Sequence, residues 1–67
     1  MTKLQRLRKA KGMSSVDLCY AIRVHPVAMS AIENRRQLAS PKVRSKICGY
    51  FGVDIAEMFD DTGLAAM

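Results

Sequence analysis

The sequence predicts an all-α fold, a compact arrangement of five short helices. Three observations predict it. Apolar residues recur at helical spacing along the 67-residue chain. Capping residues and prolines punctuate it at short intervals. No alternating run of Val, Ile and Thr is present to build a sheet.

Each element follows from its own signals. Thr2 and Gln5 have the spacing of a capping box and open a first helix over Lys3–Lys11. Leu4, Leu7 and Lys11 share one face of it, and Gly12 supplies a left-handed stop. Ser14 caps a second helix over residues 15–22, with Asp17 near the positive end of its dipole. Val16, Leu18, Cys19 and Ile22 are expected to form its apolar side. Arg23, Val24 and His25 break the pattern before Pro26. Proline is favoured at the first helical position, where its missing N–H would be unpaired anyway. The third helix therefore starts at Pro26 and runs to about Asn34, with Met29 and Ile32 inward. Arg35 to Ala39 reads as a basic loop.

Ser40-Pro41 repeats the cap-then-proline signal and opens a fourth helix. Its stripe is Val43, Ile47, Tyr50 and Phe51, and Gly52 ends it. Asp54 and Glu57 have capping-box spacing and open a short fifth helix through Ile55, Met58 and Phe59. The expected organisation is one domain over residues 1–59 and a short acidic C-terminal tail over 60–67, which is expected to fray.

Composition bounds the function. One domain is the ceiling at this length, and such a chain buries only about 60% of the surface its unfolded form exposes. That leaves no room for a deep catalytic pocket and a separate cofactor module. Apolar residues make up 49% of the chain, too many for disorder. No apolar run approaches the roughly 18 residues of a membrane span. The five cations of the first eleven residues are not followed by the apolar stretch a secretion signal needs. A cytoplasmic location is expected. Cys19 and Cys48 stand far apart with no CxxC, and read as buried small hydrophobes in a reducing compartment. His25 is the one histidine and has no ligand partners at metal spacing, so no metal or cofactor is expected. No nucleophile–base pair, acid pair or glycine-rich phosphate loop supports catalysis, so an enzyme is not expected.

The distribution of charge says more than the net +5. Residues 1–46 hold all eleven Lys and Arg against only Asp17 and Glu33, a formal +9. Residues 47–67 hold Asp54, Glu57, Asp60 and Asp61 and no cation, a formal −4. A basic body with an acidic end points to a polyanionic partner for the body. The competing reading is that the cations only keep a small protein soluble.

Two short helices joined by a three-residue break form a helix-turn-helix arrangement. Leu7, Arg8, Lys11-Gly12-Met13-Ser14, Leu18, Val24, Met29, Ile32-Glu33-Asn34, Ile47, Phe51-Gly52-Val53 and Glu57-Met58-Phe59 fall at the spacing of one family. On these residues the chain resembles the Cro/repressor-type (XRE-like, lambda-repressor-like) helix-turn-helix family over residues 3–59. The resemblance implies a five-helix domain that binds double-stranded DNA, with the third helix in the major groove and the second crossing the backbone.

Three positions depart from the family pattern. Ser15 stands where Gln usually reaches a phosphate. Cys19 replaces the small Ala at the helix crossing. Arg23 replaces the turn Gly, at a cost of about 1 kcal/mol or more if its φ is positive. Two explanations compete at Arg23: a guanidinium that approaches DNA or an acidic partner, and a solvated arginine the turn tolerates.

The groove-facing positions are expected to be His25, Pro26, Val27, Ser30 and Ala31. This set lacks the Gln, Asn or Arg that bonds base edges bidentately, so thymine methyls, Arg35, Arg36 and DNA shape are expected to carry specificity. His25 also suits a helix cap or a solvent-facing position. Ser15, Arg23, Asn34, Arg35, Arg36 and Lys42 are the expected phosphate contacts. Arg8 borders the buried stripe of the first helix and Glu33 that of the third, so each needs a partner. The resemblance implies that they pair.

The expected function is a transcriptional regulator of phage-repressor or controller type, bound as a homodimer to a palindromic operator. Tyr50, Val53, Ile55, Met58 and Phe59, with Leu64 and Met67, are its expected interface; the alternative is that most of them fill the monomer core. The rival functions are an antitoxin-type regulator, and a module that binds a regulatory protein instead of DNA.

Overall fold

Local capping decides where each helix begins. In the computed structural model, which describes residues 1–67, the elements are α1 (Lys3–Ala10), α2 (Ser15–Ile22), α3 (Pro26–Glu33), α4 (Pro41–Phe51) and α5 (Ile55–Met58). Thr2 and Gln5 form a full capping box at α1: the Gln5 N–H donates to Thr2 Oγ1 (3.3 Å) and the Thr2 N–H to Gln5 Oε1 (3.0 Å). Ser14 and Asp17 do the same at α2, with bonds of 3.0 and 3.1 Å. Ser40 Oγ accepts the Val43 N–H at α4, where Pro41 occupies the first turn. Gly52 ends α4 with φ of 70°. At α5 the expected box does not form, because Asp54 makes no side-chain cap bond. That helix has only four residues.

The core draws on every helix. Leu4 of α1, Leu18, Cys19 and Ile22 of α2, Met29 and Ile32 of α3, Ile47 and Cys48 of α4, and Met58 of α5 form one buried cluster. Phe59, Ala39 and Ala65 complete it. Leu7, Met13, Val24, Val43, Phe51 and Val53 pack around its edge. Both cysteines are free and buried, and burial pushes both thiols up from their ordinary pKa. Raised thiol pKa values keep them protonated, in keeping with a packing role.

Three expectations fail on burial. Val16 is half exposed, because it lies roughly 110° around α2 from the centre of the Leu18–Cys19–Ile22 face. Tyr50 is half exposed, although it continues the α4 stripe. Met58 and Phe59, expected at a dimer interface, are buried within the chain itself and present no surface to a partner.

The expected frayed tail is instead folded onto the body. Phe59 is extended and pairs with Ala65 in an isolated antiparallel bridge. The Ala66 N–H donates to Met58 O and the Lys3 N–H to Ala66 O, both at 2.8 Å, and the Ala39 N–H donates to Gly63 O at 3.0 Å. Asp60 shapes the turn. Its Oδ1 accepts the Thr62 hydroxyl (2.6 Å) and the N–H groups of Thr62, Gly63 and Leu64 (2.9–3.1 Å). Gly63 has φ of 98°, and a Cβ there would sit 3.2 Å from the Ala39 carbonyl oxygen. Only glycine fits that position without strain. Ala65 is fully buried as a result.

Candidate nucleic-acid interface

The surface of interest is built on α2, the turn after it and α3. The turn works by closing α2 early. Arg23 takes the left-handed conformation (φ 58°, ψ 49°), and the Arg23 and Val24 N–H groups both reach back to Cys19 O. Val24 then packs on the core and His25 starts the next helix. His25 Nδ1 accepts the Val27 N–H at 3.2 Å, and Pro26 takes the first helical position. The Nδ1 of His25 is therefore occupied as an acceptor.

Met29, Ile32 and Glu33 turn α3 inward, so the opposite side of the helix is free. Pro26, Val27, Ser30 and Ala31 line one shallow depression on that side, together with Arg36 from the following loop. Val27 is 72% exposed. His25, Pro26 and Ser30 are exposed, and Ala31 is half-buried. The four apolar and hydroxyl positions expected on the groove face are thus brought together, and Arg36 joins them. His25 lies instead beside Cys19, Tyr20, Arg23, Val24 and Pro26 in a neighbouring groove.

The residues expected to meet phosphates are less uniform. Ser15 is half-buried at the first position of α2, next to the capping pair. The Ser14 N–H and hydroxyl hold the Asp17 carboxyl below its ordinary pKa, so it remains an anion at this helix start. Arg23 lies between two depressions, one with His25 and Pro26, the other with Lys46 and Tyr50 of α4. Asn34 is occupied: its Nδ2 donates to Ser30 O (2.8 Å) and its Oδ1 accepts from Gln5 Nε2 (3.2 Å). Arg35, with φ of 60°, sends its Nη2 to 3.5 Å from Asp60 Oδ2. Both partners of that ion pair are well exposed, so it is weak. Lys42 is exposed in the first turn of α4.

Arg8 and Glu33 hold α3 in place from behind. Arg8 Nε donates to Glu33 Oε2 at 2.8 Å and Nη2 to Oε1 at 3.2 Å. A third guanidinium bond reaches the Met13 carbonyl oxygen (3.0 Å), and Thr2 Oγ1 donates to the Glu33 carbonyl oxygen (2.9 Å). The last residue of α3 is thereby tied to α1 and to its cap.

Of the expected dimer surface, Tyr50 and Ile55 are half exposed and Val53 is half-buried. Sequence reasoning missed Tyr20, which is 80% exposed on α2 four residues after the half-exposed Val16. Their i, i+4 spacing was the available signal. It also missed the ion pair between Arg35 and Asp60.

No helix is long and apolar enough to cross a membrane. No curated protein and no solved structure matches the chain. A family profile described as a helix-turn-helix domain matches residues 2–59, which include all five helices. A domain of this kind points to a DNA-binding regulator, and the chain belongs to the helix-turn-helix domain family.

Proposed function

We propose that the protein is a non-enzymatic transcriptional regulator of repressor or controller type, which binds a palindromic operator as a homodimer. The reading rests on one observation above the others: α3 has a free outer face within a strongly basic body. That body carries a formal +9 over residues 1–46. Its one deeply buried acid, Glu33, is already neutralised by Arg8. An α-helix fits the major groove, where Val27 and Ala31 suit thymine methyls and Ser30 suits a base edge. The exposed cations flanking α3 suit phosphates, which position the protein without reading sequence. Two copies bring two such helices to half-sites about one turn, or roughly 34 Å, apart.

Selection of bound duplexes from a random pool, followed by affinity measurements at several salt concentrations, tests this. A steep fall of affinity with salt and an enriched inverted repeat are expected. Weak binding with no enriched motif overturns it. A second reading, a helix-turn-helix module that docks on another protein, is favoured by the exposure of Tyr20 and Val27, both large and apolar.

A further inference from the structure

Arg36 differs from two other arginines that border α3. Arg8 is buried against Glu33 and Arg35 is turned towards Asp60. Arg36 has no acidic partner. Its backbone N–H donates to Ala31 O at 2.8 Å, which folds the loop back along the last turn of α3. The left-handed Arg35 just before it makes that reversal. The guanidinium consequently reaches the depression lined by Pro26, Val27, Ser30 and Ala31, with Nη2 3.5 Å from Ser30 Oγ. At that distance the contact with the hydroxyl is weak and leaves the guanidinium's donors free.

We infer that Arg36 is a base-reading residue, directed at a guanine edge in the major groove, with the adjoining apolar depression receiving the 5-methyl of a neighbouring thymine. The inference rests on the DNA-binding reading above. α3 supplies no side chain able to bond a base edge at two points; Pro26, Val27 and Ser30 are exposed, and Ala28 and Ala31 half-buried. A guanidinium fork matches guanine O6 and N7, and this pairing discriminates strongly among bases. Lysine carries the same charge without the fork. Arg36 therefore restores to this face, from outside the helix, the hydrogen-bonding capacity the helix lacks.

The test uses the full chain, first with a random-sequence duplex pool, then with the enriched duplex and its single-base substitutions. The parent chain is expected to enrich a half-site containing guanine beside thymine. Arg36→Lys is expected to keep the salt dependence and lose discrimination at that guanine, by roughly 5- to 150-fold. Arg36→Ala is expected to lose the same discrimination. Melting curves check that both variants fold, which the exposure of Arg36 favours. If Arg36→Lys binds all duplexes as the parent does, or Arg36→Ala weakens all equally while the salt slope falls by about one, Arg36 is a phosphate contact and the inference is overturned. If the parent enriches no motif, the DNA-reading function fails first and takes the inference with it.

Discussion

Glu33 receives Arg8 at both carboxylate oxygens, at 2.8 and 3.2 Å, with the two side chains only 3% and 11% exposed. An ion pair this deep is costly to assemble and more costly to halve, because removing one charge strands the other away from water. Here the stranded group sits between α1 and the last turn of α3. Glu33→Gln is expected to cost about 3–5 kcal/mol, which for a domain of this size lowers the melting midpoint by at least about 10 °C. The double variant Arg8→Met/Glu33→Leu is expected to be more stable than Glu33→Gln alone, since it removes both charges and fills the space. Thermal and urea melts of the variants check both expectations. An unchanged midpoint for Glu33→Gln contradicts a buried, fully engaged pair.

The C-terminal tail is expected to behave as part of the domain. It makes three backbone hydrogen bonds to Met58, Lys3 and Ala39, and covers Phe59 with the buried Ala65. Truncation after Phe59 is expected to destabilise the chain by about 2 kcal/mol or more, from lost bonds and newly exposed apolar surface. Removal of a frayed tail leaves the midpoint where it was, so urea denaturation separates the two cases.

Asp60 gives that tail a pH dependence. The Thr62 hydroxyl, followed by the backbone N–H groups around it, lowers the Asp60 carboxyl below its ordinary 3.8. The folded state therefore holds this proton less tightly than the unfolded state. Its contribution is present above the unfolded value and is lost as pH falls through the lowered folded value. Asp17, held down by Ser14, has the same sign. Melting midpoints measured from pH 6 to pH 2 are expected to fall in acid. Asp60→Asn is expected to flatten that fall, because an amide oxygen still accepts the turn's hydrogen bonds without titrating. A profile identical to the parent's removes Asp60 from the acid transition.

Arg23 sits in a conformation that favours glycine, at φ 58° and ψ 49°. A non-glycine residue there costs about 1 kcal/mol or more, so Arg23→Gly is expected to raise the melting midpoint by several degrees. The residue borders the groove beside His25 and Pro26. If that rim faces a phosphate, the same variant binds DNA more weakly and its salt slope is shallower by about one. A more stable variant with unaltered affinity shows instead that the turn merely tolerates the arginine.

What the sequence discloses divides along the range of the interactions. The starts of α1, α2, α3 and α4 are legible because caps act over three residues, as Thr2 with Gln5 and Ser14 with Asp17 show. The pairing of Arg8 and Glu33 is legible because a charge on the edge of a buried stripe needs a partner, and the basic body holds only two acids. The tail is not legible, since its anchors join residues at opposite ends of the chain, Lys3 and Ala66. Nor does apolar spacing separate a monomer core from an interface. Met58 and Phe59 look like Ile55 in sequence and differ from it in joining the buried cluster shared by all five helices. The approach of Arg36 to α3 depends on the positive φ of Arg35, which no local rule assigns to an arginine.

With Met58 and Phe59 withdrawn to the core, the proposed dimer surface narrows to Tyr50, Val53 and Ile55, with the half-buried Leu64 and the exposed Met67. Ile55 is the most informative probe, being 40% exposed at the start of α5 and therefore replaceable without opening a cavity. Ile55→Glu is expected to leave the melting midpoint of the monomer nearly unchanged. At the centre of an interface it costs about 2 kcal/mol, which raises the dimer dissociation constant roughly 30-fold. Sedimentation equilibrium across a concentration series reads that shift directly. Met58→Ala serves as the contrast, because it removes a core side chain and is expected to cost about 2–5 kcal/mol of folding stability. If Ile55→Glu and Tyr50→Glu both leave self-association intact, the two copies meet elsewhere, and the exposed Val16 and Tyr20 of α2 become the surface to alter next.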